Sequence, residues 1–258
     1  MYNLRQKALE RFMAGERKPL LTRGNPKTEK SVKYGYLTAI LHLSPVNMVA
    51  KKNLCAYASA GCKAACLNTA GRGALHMMKG DAHVVQDARA LRTIFYEKDR
   101  LGFLTQLERE IRNFEKYAKS KGLKPAVRLN GTSDLTVNRW GLMEKFPKVQ
   151  FYDYTAIPAR VRKPFPSNYK VAFSRKEDND KNVEEAIAAG YNIAVVFDKL
   201  PKTWKGLPVA DGDEHDLVFL YDKQVILGLK AKGQAKSDTS GFVVQTVSSQ
   251  YDDKLLVA

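Results

Sequence analysis

Three cysteines, Cys55, Cys62 and Cys66, sit in the stretch LCAYASAGCKAACLNTAGRG (54–73), and the rest of the 258-residue chain has none. Six residues separate the first pair and three separate the second. Thiolate is the ligand of soft metals and of iron–sulfur clusters. A 4Fe–4S cluster needs a ligand at each iron corner, so three cysteines leave one iron open; a 3Fe–4S cluster needs only three. The loop has to wrap closely, and Ala56, Ala58, Ser59, Ala60, Gly61, Ala64 and Ala65 are all small. Gly61 immediately precedes Cys62, where a tight turn is needed. Zinc competes for the same ligands. Structural zinc favours four protein donors and C-x₂₋₄-C pairs, so a fourth ligand would come from elsewhere, with His42, His76 and His83 nearest. Buried, chemically idle thiols are the plain alternative. Confinement of all three to one short loop argues against it, and their odd number excludes a closed disulfide framework.

A second constellation lies in RLNGTSDL (128–135). Arg128, Asn130, Ser133 and Asp134 bring a cation, an amide, a hydroxyl and a carboxylate into seven residues, a set that can orient a small polar ligand. In FYDYT (151–155), Asp153 stands between Tyr152 and Tyr154, and strand alternation sends the tyrosines to one face and Asp153 to the other. Either Asp134 or Asp153 is a candidate fourth cluster ligand or base; hydrogen-bonded core filling is the alternative. In DGDEHD (211–216) the acids around His215 suit a hard cation or a solvated turn. Lys230 and Lys232 are candidate phosphate contacts or members of a solvated face.

These residues need elements to place them. Residues 3–14 have helical spacing, and 16–33 form a basic connector. YGYLTAILHL (34–43) reads as a first strand leading into the cysteine loop. Residues 84–96 and 103–119 carry apolar stripes of helical period, with Thr105 and Glu108 at capping-box spacing. Strands are expected at 126–130, 149–154, 169–174 and 192–197, with helical segments at 135–146 and 182–189 between them. Residues 207–245 read as β-rich, with LPVA, DLVFLY, VILGL and GFVVQTV and no helix. Short apolar strands with long crossovers argue for a parallel α/β sheet. About seven or eight strands in a chain near the typical size of about 250 residues fit a degenerate (β/α) barrel, with an open α/β sheet as the alternative. We read one domain, 1–258. In such folds ligands bind at the carboxyl ends of strands, where both the cysteine loop and the 130–134 turn fall.

Composition sets the surroundings. The net charge is +16, from 43 Lys and Arg against 27 Asp and Glu, a field that attracts polyanions such as nucleic acid and also favours solubility. No basic helix or aromatic-interleaved nucleic-acid motif stands out. No run approaches the roughly 18 apolar residues of a membrane span, and the N-terminus lacks the apolar core of a signal peptide. The expectation is a cytoplasmic protein without a membrane partner.

The loop-after-first-strand layout resembles that of the radical S-adenosylmethionine enzymes, which implies S-adenosylmethionine as a candidate cofactor on an open iron. Their usual cysteine spacing is three then two; here it is six then three. A fuller resemblance is to the phage gene-product-eighty-eight-like proteins. It is carried by GNPKTEKS (24–31), the cysteine loop, RLNGTSDL, FYDYTAIPAR (151–160), VADGDEHDLVF (209–219) and GLKAKGQAKSDTSGF (228–242). It implies a phage gene expressed in the host cytoplasm and three cysteines acting as iron–sulfur ligands. Three functions follow as expectations. One is a cluster protein with radical or redox chemistry. Another is a nucleic-acid-binding protein with a structural metal. The third is an electron carrier with a redox partner.

Overall fold

The computed structural model describes residues 3–23, 29–69 and 84–246. Helix α1 (Leu4–Met13) opens the chain, followed by the short strand β1 (Leu21–Thr22), strand β2 (Tyr36–Leu41) and the single-turn helix α2 (Ala60–Ala64). Helices α3 (Val84–Lys98) and α4 (Arg100–Ser120) lead into β3 (Lys124–Arg128). A brief helix α5 (Leu142–Lys145) precedes β4 (Gln150–Thr155) and β5 (Tyr169–Ser174). Helix α6 (Asp180–Ala188) then connects to β6 (Ile193–Phe197). The described residues finish with β7 (Thr203–Trp204), β8 (Leu207–Asp211) and β9 (Ile226–Lys230).

Among the described residues, nine strands form one sheet in the order β1-β2-β3-β4-β5-β6-β9-β8-β7. Pairing is parallel from β2 through β8. The two-residue strands β1 and β7 close the edges antiparallel. β9, the last strand among the described residues, inserts between β6 and β8. Each edge strand pairs on one side only, so the sheet is open and the expected barrel does not close. A closed barrel requires its first and last strands to share a ladder; here both outer positions are taken by short antiparallel strands that end the ladder.

Alternation along the strands sorts the two faces. Ala39, Leu41, Val127, Phe151 and Val171 pack with Leu91, Ile94, Phe103, Leu107, Ile111 and Phe114 of α3 and α4. Further along the same sheet, Phe173, Ile193 and Val195 pack with Val183 and Ala186 of α6. The intervening residues Ala126, Tyr152, Ala172 and Ala194 face the other way, where Leu217 and Val218 cover them. Helices thus line one face, and the 212–225 connection covers the other.

Several local expectations change. The α4 helix starts earlier than 103, because Asp99 accepts from the Gly102 N–H at 2.8 Å and caps the first turn. The expected helix at 135–146 is broken by Gly141, whose φ of +71° does not continue a right-handed helix. DLVFLY is not a strand: Leu217 and Val218 are buried as the cover over the sheet. The described part of GFVVQTV, residues 241–246, contributes a single bridge, Val244 to Phe197.

Candidate functional site

The carboxyl ends of the parallel strands gather most of the residues singled out above. Strand β2 delivers the cysteine loop. Cys55 lies against the turn after β3: the Asp134 N–H donates to Leu54 O at 2.8 Å, and Cys55 Sγ approaches Thr132 O at 3.8 Å. The Thr132 hydroxyl returns to Leu43 O at 2.5 Å, and the Gly131 N–H to Leu41 O at 2.9 Å. A Cβ on Gly131 would stand 2.6 Å from the His42 ring and 2.7 Å from Leu41 O, so only glycine lets the two segments approach this closely.

Cys62 sits within α2, across the sheet edge beside the end of β5. Ser59 caps α2, its hydroxyl oxygen accepting from the Cys62 N–H at 3.2 Å. The Glu177 carboxylate accepts from the Ser59 hydroxyl and from the Gly61 N–H, both at 2.7 Å. Ala65, just after α2, packs with Ala235 and Val243 from the segment beyond β9. Cys66 follows, within electrostatic reach of Arg89 on α3. The loop therefore runs along the carboxyl edge of the sheet, from β2 and β3 to β5 and β6.

All three cysteines are half-buried, and none is in a disulfide. Burial pushes the Cys55 thiol up to about 11, with Asp134 and Cys66 adding to the effect. Burial pushes Cys62 up to about 12; Cys66 and Cys55 raise it further and Lys176 opposes them. Without a metal both thiols are protonated at neutral pH. Among the described residues no three His, Cys, Asp or Glu side chains group around a single ion position. His76 and His83 lie outside the described residues.

The second constellation is a closed hydrogen-bonded hub. The Asp153 carboxylate accepts from the Asn130 backbone N–H at 2.8 Å, the Asn130 amide at 3.2 Å and the Tyr169 hydroxyl at 3.0 Å. The Asn130 carbonyl oxygen accepts from the Ser133 hydroxyl and the Leu135 N–H, each at 2.9 Å. Asp134 accepts from the Thr155 hydroxyl and the Ala156 N–H at 2.8 Å and pairs with Arg160 at 3.2 Å. Arg160 also donates to the Tyr169 hydroxyl. Burial works against the Arg160 charge, but Tyr169, Asp153 and Asp134 outweigh it and its pKa is raised. Asn130, Ser133, Asp134 and Asp153 thus spend their polar atoms on one another and on the strand ends.

Arg128 points to the opposite face of the sheet. It pairs with the buried Asp216 of the covering segment at 3.2 Å and lies 4.5 Å over the Tyr154 ring. Tyr152 donates its hydroxyl to the other Asp216 oxygen at 3.2 Å. The remaining acids of 211–216 are also met by bases: Asp211 by Lys230 at 3.0 Å, Asp213 by Lys232 at 2.5 Å and Glu214 by Lys33 at 2.9 Å. Lys230 and Lys232 therefore face carboxylates, and the acids have cationic partners in place of a hard metal. His215 accepts from the Leu217 N–H through Nδ1 at 3.2 Å, and burial lowers its pKa.

Sequence reasoning missed Glu177, Arg160 and Tyr169, and it placed Asp216 in a cation-binding or solvated turn and not against Arg128. Arg160 closes the FYDYTAIPAR stretch, so a buried acid pair in need of a cation was a usable signal for it. Glu177 lies 116 positions from Gly61, and no local pattern links the two.

Asp153 gives the hub a pH signature. Burial holds its carboxyl up at about 6, against an ordinary 3.8. Between those values the folded chain keeps a proton that the unfolded chain has released, so stability falls as pH rises through this window. Relative to Asp153→Asn, the wild-type chain should lose on the order of 2–3 kcal/mol between pH 4 and pH 7. Urea unfolding of both proteins across that range measures it; parallel pH profiles contradict the assignment.

Among the described residues no helix is long and apolar enough to cross a membrane. Searches of curated proteins and of solved structures return no match. The family model described as Gene product 88 matches residues 17–246, which span the cysteine loop, the hub and the covering segment. The chain belongs to the Gene product 88 family, the phage gene-product family that its motifs resemble.

Proposed function

We propose that Cys55, Cys62 and Cys66 together hold an iron–sulfur cluster, of the 4Fe–4S or 3Fe–4S type, at the carboxyl edge of the sheet. The observation that carries this reading is a set of three half-buried thiols, the chain's full complement, borne on one loop at the carboxyl edge of the sheet. A mononuclear zinc site needs its donors to converge on one ion at about 2.0–2.3 Å, and the described residues offer no such convergence. A cluster relaxes that demand, because each thiolate binds its own iron. The donor chemistry fits: the thiols are outside disulfides, and small residues flank them in the sequence.

When bound, the cluster would supply one-electron redox chemistry. The chain's own residues define its setting. The 130–135 turn fixes Cys55, α2 carries Cys62, and Arg89 and Lys176 place positive charge near Cys66 and Cys62. Each ligand must lose its proton on binding, so loading releases protons and weakens as pH falls. S-adenosylmethionine remains a ligand to test. Its turnover separates radical chemistry from electron transfer to a redox partner.

Full-length chain purified anaerobically should be brown and contain iron with acid-labile sulfide, and C55S, C62S and C66S should each reduce both. Colourless protein carrying only stoichiometric zinc overturns the reading.

A second reading, nucleic-acid binding, is favoured by the exposed Lys51, Lys52, Lys63 and Lys236 on segments bordering the cysteines and by the net charge of +16. Phosphate-dominated binding falls steeply with salt. Fluorescence anisotropy with labelled DNA and RNA oligonucleotides should show affinity lost by at least about tenfold between 50 and 200 mM salt. Absence of binding at the lower salt removes this reading.

A further inference from the structure

We infer that Glu177 is the positioning residue for Cys62, clamping the cysteine-bearing turn to the end of β5. As a statement about cluster assembly it rests on the proposed role of the three cysteines; as a statement about Cys62 it does not.

Helix α2 has five residues. A single turn pays the nucleation cost of a helix with almost no propagation to offset it, so something outside it must hold it. Glu177 does so at two points. One carboxylate oxygen accepts from the Gly61 N–H and the other from the Ser59 hydroxyl, each at 2.7 Å. A serine hydroxyl has one proton to donate. Because that proton goes to Glu177, the Ser59 oxygen turns its lone pairs to the Cys62 N–H, 3.2 Å away. The carboxylate therefore acts on the Cys62 backbone through Ser59 and on its neighbour directly.

The approach is close enough to exclude a side chain at position 61. A Cβ there would collide with Ser240 Oγ, lie 2.7 Å from Phe242 Cβ and 3.0 Å from Glu177 Oε1. The same glycine that suggested a tight turn in the sequence thus seats α2 against Glu177 and the 240–242 segment. Glu177 is three residues beyond the end of β5, so the clamp ties the middle of the cysteine loop to the sheet independently of the Cys55 contact at β3.

The test uses full-length metal-free protein, with iodoacetamide alkylation of each cysteine followed by peptide mass spectrometry. Loss of the two charge-assisted hydrogen bonds in Glu177→Ala should speed Cys62 alkylation by about tenfold, with Cys55 changed less than about twofold since its anchor is separate. Glu177→Gln keeps an acceptor for the Gly61 N–H and should stay within about threefold of wild type. Ser59→Ala breaks the relay while leaving Glu177 in place, and should also speed Cys62. An unchanged Cys62 rate in E177A, or equal acceleration at all three cysteines, overturns the clamp. After iron–sulfur reconstitution, E177A should hold less iron than wild type and E177Q should recover it. If wild type takes up no iron, the cluster proposal fails while the alkylation rates still decide the role of Glu177.

Discussion

The buried pair of carboxylates, Asp134 and Asp153, is the constraint on which this end of the sheet depends. A carboxylate in a low-dielectric interior is costly unless cations and hydrogen-bond donors surround it. Here Arg160 and Tyr169 stand between the two acids, and backbone N–H groups of residues 130 and 156 complete the set. The partners come from the ends of β3 and β4, the start of β5 and the turn at Arg160. Satisfying them fixes those ends relative to one another. Breaking such a network by removing one partner generally costs several kcal/mol, so the 130–135 turn has little freedom to adopt another shape.

That rigidity passes to the cysteine loop. The turn receives Leu54 and Cys55 through the Asp134 N–H and the Thr132 carbonyl, and Gly131 lets β2 and β3 come together there. Farther along the edge, the Glu177 side chain receives α2. The loop is thus held at two places, and its thiols lie in a half-buried environment that keeps Cys55 and Cys62 protonated until something replaces the proton. A soft metal is the chemical partner that does so most favourably. Burial that keeps Cys55 and Cys62 protonated slows competing alkylation and oxidation, both of which proceed through thiolate.

Much of the sheet was legible because alternation and β-branched content are local signals. The strand expected at 169–174 coincides with β5, that at 149–154 is displaced by one residue, and that at 192–197 starts one residue later and ends where expected. Closure was not legible, since strands separated by crossovers read alike in an open sheet and a barrel. The insertion of β9 between β6 and β8 leaves no mark in its own residues. At 135–146 the apolar spacing suggested a helix, and a single glycine at positive φ divides it. DLVFLY looked like a strand because a covering segment and a buried strand share the same apolar composition. At the site, the cysteines and the 128–135 residues announced themselves by type. Their division of labour did not: Arg128 faces Asp216 on one side of the sheet while Asn130 and Asp134 turn into the hub, a split set by strand register and by partners distant in the chain.

The central claim is that three cysteines on this edge bind iron in a cluster. Mössbauer spectroscopy of full-length protein grown on ⁵⁷Fe and purified anaerobically addresses it most directly. The account predicts quadrupole doublets of tetrahedral, sulfur-coordinated iron with delocalised valence, or the spectrum of a three-iron cluster, diminished in C62S. A spectrum with no iron bound to the chain, or only isolated high-spin iron with oxygen and nitrogen ligands, would contradict it.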